Sequence, residues 1–223
     1  MQQRYIRNIP ALSEEECLRL RGKTVLVVGC GGLGGYIIEM LGRIGVGAIR
    51  AVDGDCFEAS NLNRQLLSKP ALLGCSKAKT AVARIAEINP EVRADAFCAF
   101  LDESNADELI SGCDLVIDAL DNIESRRVLA RHSESLNIPM VFGAISGWLA
   151  QCALSMPGDK LIEKLYPAGV EVKDKSALSF TPALCAAMQC SLAVRWLCGR
   201  EVESSAVKCF DLLDMEFESI NRL

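Results

Sequence analysis

The sequence predicts an α/β protein: a parallel sheet with helices on both faces, extended by C-terminal antiparallel strands. Three observations carry that expectation. Short β-branched runs alternate with helical patterns through the first two thirds of the chain. A glycine-rich turn joins the first apolar run to the first long helical pattern. After Gly143 the alternation stops, and strand-like runs flank one long helix.

The elements follow in order. Thr24–Val28 is an uninterrupted apolar run, as a strand buried on both faces requires. From Gly32 to Ile44, Leu33, Ile37, Met40, Leu41 and Ile44 recur at helical spacing. A second strand, Ala48–Val52, ends at Asp53. Residues 76–88 repeat the helical period through Ala78, Val82, Ile85 and Ala86, and Asn89-Pro90 stops it. Strands are expected at 92–98, at 115–117 before Asp118, and at 139–143, with a helix over 122–136. Residues 148–156 and 207–217 read as strands around a helix over 183–197. The polar connector 157–179, with Pro, Gly and alternating charges, reads as a mobile loop.

At 223 residues the chain is expected to form a single domain over 1–223, with a nucleotide-binding half (about 1–143) and an extension (about 144–223). A net charge of −5 without a Lys/Arg-rich run argues against duplex nucleic acid as main partner, because neutralising phosphates needs clustered positive charge. No apolar run is long enough to span a membrane, and the N-terminus lacks the apolar core of a signal peptide. Eleven cysteines, an odd number, without an export signal, point to reduced thiols in a cytoplasmic protein.

Three motifs carry chemistry. Gly29-Cys30-Gly31-Gly32-Leu33-Gly34 matches G-x-G-x-x-G between strand and helix, where close backbone approach and free helix N–H groups suit a phosphate; the expected sheet is thus Rossmann-like. Asp53, ending the next strand, is placed to bind ribose hydroxyls. Asn61, Asn63, Arg64, Lys77 and Lys79 then crowd polar and positive groups just beyond. A dehydrogenase has no need of them, and an enzyme handling a triphosphate does. Asp118-Ala119-Leu120-Asp121-Asn122 sets two carboxylates at a strand's carboxyl edge, where Mg²⁺ shared with phosphates would find oxygen ligands. Asp118 alone also suits a turn, and Asn122 a helix cap.

Together with Arg4-Tyr5-Ile6-Arg7-Asn8, these blocks resemble the ThiF/MoeB/HesA family, the bacterial relatives of ubiquitin-activating enzymes, in its short zinc-free form. The likeness runs from Arg4 to about Phe217. It implies MgATP-dependent adenylation of the C-terminal glycine of a small ubiquitin-like sulfur carrier ending in Gly-Gly, with pyrophosphate released. A ThiS-type carrier, of thiamine biosynthesis, is preferred, and a MoaD-type carrier is the close alternative. The resemblance gives Gly29, Gly31 and Gly34 to the nucleotide, Asp53 to its ribose, and Asn61, Arg64 and Lys77 to its phosphates. It gives Asp121 to Mg²⁺ or the reacting centre. Arg7 resembles an arginine that enters the other subunit's active site, which implies a homodimer. The catalytic set is thus Arg7, Arg64, Lys77 and Asp121, and the carrier tail passes beneath a crossover loop at 157–179.

The departures from the family also bear on function. Zinc-bearing members carry C-x-x-C before Leu-aromatic-Pro; here Leu165-Tyr166-Pro167 follows Leu161 and Lys164, no C-x-x-C occurs, and no zinc is expected. No cysteine lies within 168–181, and Cys185 and Cys190 fall on an apolar helical pattern, as core residues do. His132, the one histidine, reads as a solvated helix residue. Three alternatives stay open: adenylation of a peptide or tRNA-borne group, a nicotinamide- or flavin-dependent oxidoreductase, which would share the glycine loop, and a non-catalytic scaffold that keeps the fold to bind a carrier or nucleotide.

Overall fold

The computed structural model describes residues 3–170 and 176–221. Eight strands form one sheet: β1 (Thr24–Val28), β2 (Ala48–Val52), β3 (Arg93–Phe97), β4 (Leu115–Asp118), β5 (Met140–Ser146), β6 (Leu149–Ser155), β7 (Val207–Asp211) and β8 (Glu216–Ile220). Their order is β3-β2-β1-β4-β5-β6-β7-β8, with the first five parallel and the last three antiparallel. The mixed sheet agrees with the expected fold class.

Successive residues of the central strands face opposite layers, and both layers are apolar. Val25, Val27, Ile49, Leu115 and Ile117 pack beneath α1 (Glu14–Arg21), α2 (Gly32–Ile44), α3 (Lys77–Ile88) and α7 (Phe180–Leu197). Leu26, Val28, Val52 and Val116 face α4 (Ala106–Ile110), α5 (Ile123–Ser135) and α6 (Leu161–Leu165). The sheet order reverses direction beside β1, opening a crevice at the carboxyl ends of β1, β2 and β4, where such sheets bind ligands.

Four elements differ from expectation. Ser13 and Glu16 form a reciprocal capping box that starts α1, a signal hidden in the acidic run. The two short helices α4 and α6 bury Leu109 and Ile110, and Leu161 and Ile162, in pieces too brief for periodicity to reveal. The connector 157–179 is therefore partly helical, and its residues 171–175 lie outside the described set. The run 207–217 is a hairpin rather than one strand: Leu213 N–H bonds the Asp211 carboxylate at 2.9 Å and Met215 takes a φ of +57°, turning the chain back to pair Phe210 with Phe217.

Residues 3–8 form a 3₁₀ helix at the far end of α2 and α3. Buried Asn89 holds it there, donating to the Tyr5 hydroxyl at 2.8 Å and to the Gly42 carbonyl at 2.7 Å. Tyr5 in turn packs on Gly45, which ends α2 in the left-handed conformation. Near the crevice, α7 reaches the sheet through buried Gln189, which donates to the Asp118 carbonyl at 2.8 Å and lies where a side chain at Gly143 would stand. None of the described helices is long and apolar enough to cross a membrane.

Candidate active site

The glycine turn is built on contacts that no other residue permits. Gly29 has a φ of +96°, and a Cβ on it would lie 2.5 Å from the Ala119 carbonyl oxygen. A Cβ on Gly34 would lie 1.7 Å from the Gly29 carbonyl oxygen, so α2 starts hard against the turn. Gly31 precedes α2 and lies against the side chain of buried Gln65. No side chain caps α2, which leaves its first-turn N–H groups for another acceptor.

Asp53 braces this turn from β2. Its Oδ2 accepts the Cys30 N–H at 2.7 Å and its Oδ1 the Asp55 N–H at 2.8 Å. Burial pushes its carboxyl above the usual range, and those two bonds oppose the rise. Each oxygen keeps a lone pair for a hydroxyl donor. Beside it stands Phe100, whose ring covers the place where a Gly54 Cβ would be, 2.7 Å away. The ring is 68% exposed, while its backbone is held by the Asn105 amide donating to the Phe100 carbonyl at 2.8 Å. Sequence reasoning missed Phe100; the available signal was an aromatic residue shortly after the third strand, in a loop rather than on a core face.

Asn61 is buried and turned into its own loop, its Oδ1 accepting the Glu58 N–H at 3.0 Å. Its backbone carbonyl receives the Arg64 and Gln65 N–H groups, so it shapes the bend that presents Arg64. The Arg64 guanidinium donates to the Ser60 carbonyl and to Asn63 Oδ1, both at 2.9 Å, with its stem alongside Gly32 and Pro182. Lys77 starts α3 with a buried side chain, and its ammonium lies 2.9 Å from the Asp55 carboxylate. Thus Gly29, Gly31, Gly34, Asp53, Asn61, Arg64 and Lys77 converge on one crevice.

Across the crevice, Asp118 is fully buried and burial raises its carboxyl, opposed by Arg126. Asp121 is exposed on the turn after β4 and has no hydrogen bond or ion pair among the described residues. Asn122 caps α5 by accepting the Ser125 N–H at 2.8 Å. The connector is held at two points, where Arg127 donates to the Tyr166 carbonyl at 2.9 Å and Asn63, next to Arg64, to the Ala177 carbonyl at 3.2 Å.

Arg7 does not join this group. It is exposed at the opposite end of α2, about 20 Å along a 13-residue helix from the glycine turn. His132 departs from the solvated reading. Its side chain is largely covered, with Nδ1 2.7 Å from Asp107 and Nε2 2.9 Å from Glu103, because the unforeseen α4 brings Asp107 to α5 and the turn before it brings Glu103. Cys185 and Cys190 are buried on α7, and burial pushes both thiols up, Cys190 to about 12. Leu161 is buried in the core; among the described residues, no cluster of His, Cys, Asp or Glu could hold a metal with three or more ligands. One carboxylate such as Asp121 still fits a Mg²⁺ ion whose other ligands are phosphates and water.

Comparisons with known proteins extend these observations. A sequence profile described as the ThiF family matches residues 3–222. The chain is 34% identical over 209 residues to the "SAMP-activating enzyme E1" of Haloferax volcanii, covering 91% of this chain and 77% of that one. It is 36% identical over 160 residues to the "Molybdopterin-synthase adenylyltransferase" of Haemophilus influenzae, covering 72% of this chain and 63% of that one. Among solved structures, Escherichia coli MccB with ATP superposes with a TM-score of 0.85 at 18% identity, covering 99% of this chain and 72% of that one, a likeness of fold.

Proposed function

The chain belongs to the ThiF family, a family of nucleotidyltransferases, and on that premise we propose that it adenylates the C-terminal glycine of a small ubiquitin-like sulfur carrier. What supports this reading is the set of charged groups at the carboxyl edge of the sheet: Arg64 beside the glycine turn, Lys77 at the start of α3, and Asp121 on the turn after β4. A nicotinamide or flavin site leaves that charged set unexplained. The relatives' names cover both SAMP activation and a molybdopterin-synthase adenylyltransferase. A ThiS-type carrier ending in Gly-Gly is the preferred substrate in this reading, with a MoaD-type carrier the close alternative.

In this reading ATP lies against Gly29, Gly31 and Gly34, with its ribose on Asp53. The carrier's terminal carboxylate, already ionised, attacks the α-phosphorus. The bond to the bridging oxygen breaks, pyrophosphate leaves, and the acyl-adenylate remains; no protein base is required. Arg64 and Lys77 stabilise the charge gathering on the phosphates, with Asn61 holding the Arg64 bend. Asp121 would hold Mg²⁺, which supplies charge neutralisation when bound. The tail reaches the site beneath the connector whose ends meet Arg127 and Asn63, so that 1–223 works as one adenylation unit.

Arg7 completes a site only in a second copy. Its distance from its own crevice, along the length of α2, supports action in trans within a homodimer. ATP–pyrophosphate exchange with Mg²⁺ and a Gly-Gly carrier tests the proposal. Exchange lost when the last glycine is removed is the expected result. Exchange with a short peptide but with no carrier would redirect it to a peptide substrate, and binding of a dinucleotide in place of ATP would defeat it.

A further inference from the structure

Beneath the turn that carries Asp121 lies a buried ion pair. Asp118 ends β4 with no exposed surface, and Arg126, itself buried, brings Nε to 3.1 Å from Asp118 Oδ2. Taking both charges out of water costs several kcal/mol per ion, and apolar replacements of such pairs are often neutral or stabilising. What the pair touches points to a positional role. Arg126 Nη2 donates to the Leu120 carbonyl, and Asp118 Oδ1 accepts the Leu120 N–H at 3.0 Å. Both backbone groups of the residue preceding Asp121 are therefore held by these two side chains. Asn122, on the other side, is fixed as the cap of α5.

Arg126 also reaches the other way. Its guanidinium lies 4.8 Å from the centre of the Phe142 ring and 5.5 Å from that of Tyr166, and Nη1 donates to the Tyr166 hydroxyl at 3.3 Å. Tyr166 closes α6 and leads through Pro167 into the connector. Arg127, next along α5, donates to the Tyr166 and Pro167 carbonyls at 2.9 and 3.3 Å. One turn of α5 thus grips both the Asp121 turn and the root of the connector.

We infer that Arg126 is a positioning residue for adenylation, setting Asp121 through Leu120, and that Tyr166 links this setting to the connector that follows α6. The inference rests on the reading of Asp121 as a residue of the reacting centre. It requires arginine specifically. The three nitrogens of a planar fork meet Asp118, Leu120 and Tyr166 separately, whereas the single nitrogen of a lysine ammonium cannot span all three.

The test is carrier-dependent exchange, with separate kcat and KM, in Arg126→Lys, Tyr166→Phe, Asp121→Asn and the Arg126→Lys/Asp121→Asn double variant. Arg126→Lys should lower kcat about 100-fold, the effect of a displacement near 1 Å, with the KM for ATP and the circular dichroism spectrum unchanged. The double variant should be no slower than Asp121→Asn, because both changes act on one element. Tyr166→Phe keeps the ring and loses one hydrogen bond of about 1 kcal/mol, so kcat should fall about fivefold. Wild-type kcat in Arg126→Lys, or losses that multiply in the double variant, would overturn the positioning role. Wild-type kinetics in Tyr166→Phe would overturn the link, and that variant decides the matter if Arg126→Lys does not fold. Full exchange in Asp121→Asn would strike at the reading of Asp121, and the inference would fall with it.

Discussion

The ammonium of Lys77 lies 2.9 Å from the carboxylate of Asp55, the lysine stem buried and the acid half exposed. The Lys77 N–H donates to the Asp55 carbonyl at 3.0 Å, and Ser76 caps the helix just before it. The cation is therefore aimed before any phosphate arrives, which is the preorganisation that electrostatic catalysis depends on. Lys77→Ala should reduce pyrophosphate exchange by at least about 100-fold. Lys77→Arg should not rescue it, because a planar fork does not fit the slot of a buried, unbranched stem. Near-normal exchange in Lys77→Ala would remove Lys77 from the machinery, and in Lys77→Arg it would show that charge alone suffices.

Gly34 and Gly32 form a matched pair for testing the turn. A methyl group on Gly34 meets the Gly29 carbonyl oxygen at 1.7 Å, whereas one on Gly32 meets nothing closer than 3.6 Å. Gly34→Ala should cost about 3 kcal/mol of stability and abolish ATP binding, and Gly32→Ala should keep the native Tm. Thermal melts of the two variants, with and without ATP, decide it.

Phe100 presents an aromatic face beside Asp53, where an adenine would lie if the ribose occupies that carboxylate. Phe100→Ala should raise the KM for ATP about tenfold, the value of one base–aromatic stack near 1.4 kcal/mol. Because the ring is largely exposed, the Tm should hardly move. Phe100→Tyr should retain affinity. An alanine variant with unaltered KM would show that the ring faces only solvent.

If Arg7 serves the other copy, Arg7→Ala and Arg64→Ala should complement each other. Each alone is expected to be inactive. Mixed and allowed to exchange subunits, they should recover about a quarter of wild-type sites, since half of the twofold dimers are mixed and each holds one intact site. A mixture as inactive as its parts would refute action in trans.

His132 predicts a pH dependence. Asp107 and then Glu103 raise its pKa by hydrogen bonding. A group raised on folding contributes stability that is complete below its unfolded pKa of about 6.5 and is lost as pH rises through its folded value. Amide protection of α4, corrected for intrinsic exchange rates, should therefore decline above about pH 6.5, and His132→Gln should flatten the decline. Salt should shrink the effect, since both carboxylates are largely exposed. Protection indifferent to pH in the wild type would show that the imidazole does not tether α4.

The central strands and long helices were readable because periodicity needs length: Thr24–Val28 and Gly32–Ile44 each carry an unbroken pattern. The cluster at Asp53, Asn61, Arg64 and Lys77 was readable because it lies close along the chain. Residues recruited from afar were not. Phe100 joins the crevice only because β3 pairs beside β2, and His132 meets its acids only through the five residues of α4 and the turn that precedes them. The hairpin at β7 and β8 was hidden because its turn carries Leu212, Leu213 and Met215, so Asp211 and Asp214 read as polar positions within one strand rather than as a break.

Gln189 bears on how the protein comes to exist in time. Its amide meets the end of β4 from a helix encoded some 70 positions later, and α7 also roofs the face of the sheet that α2 covers in part. A nascent chain can pair β1 to β5 before that helix has been synthesised, yet the crevice stays unfinished and an apolar face stays bare. Premature termination before α7 would thus leave a sticky, inactive fragment, and quality control has a reason to watch this chain until its last third emerges.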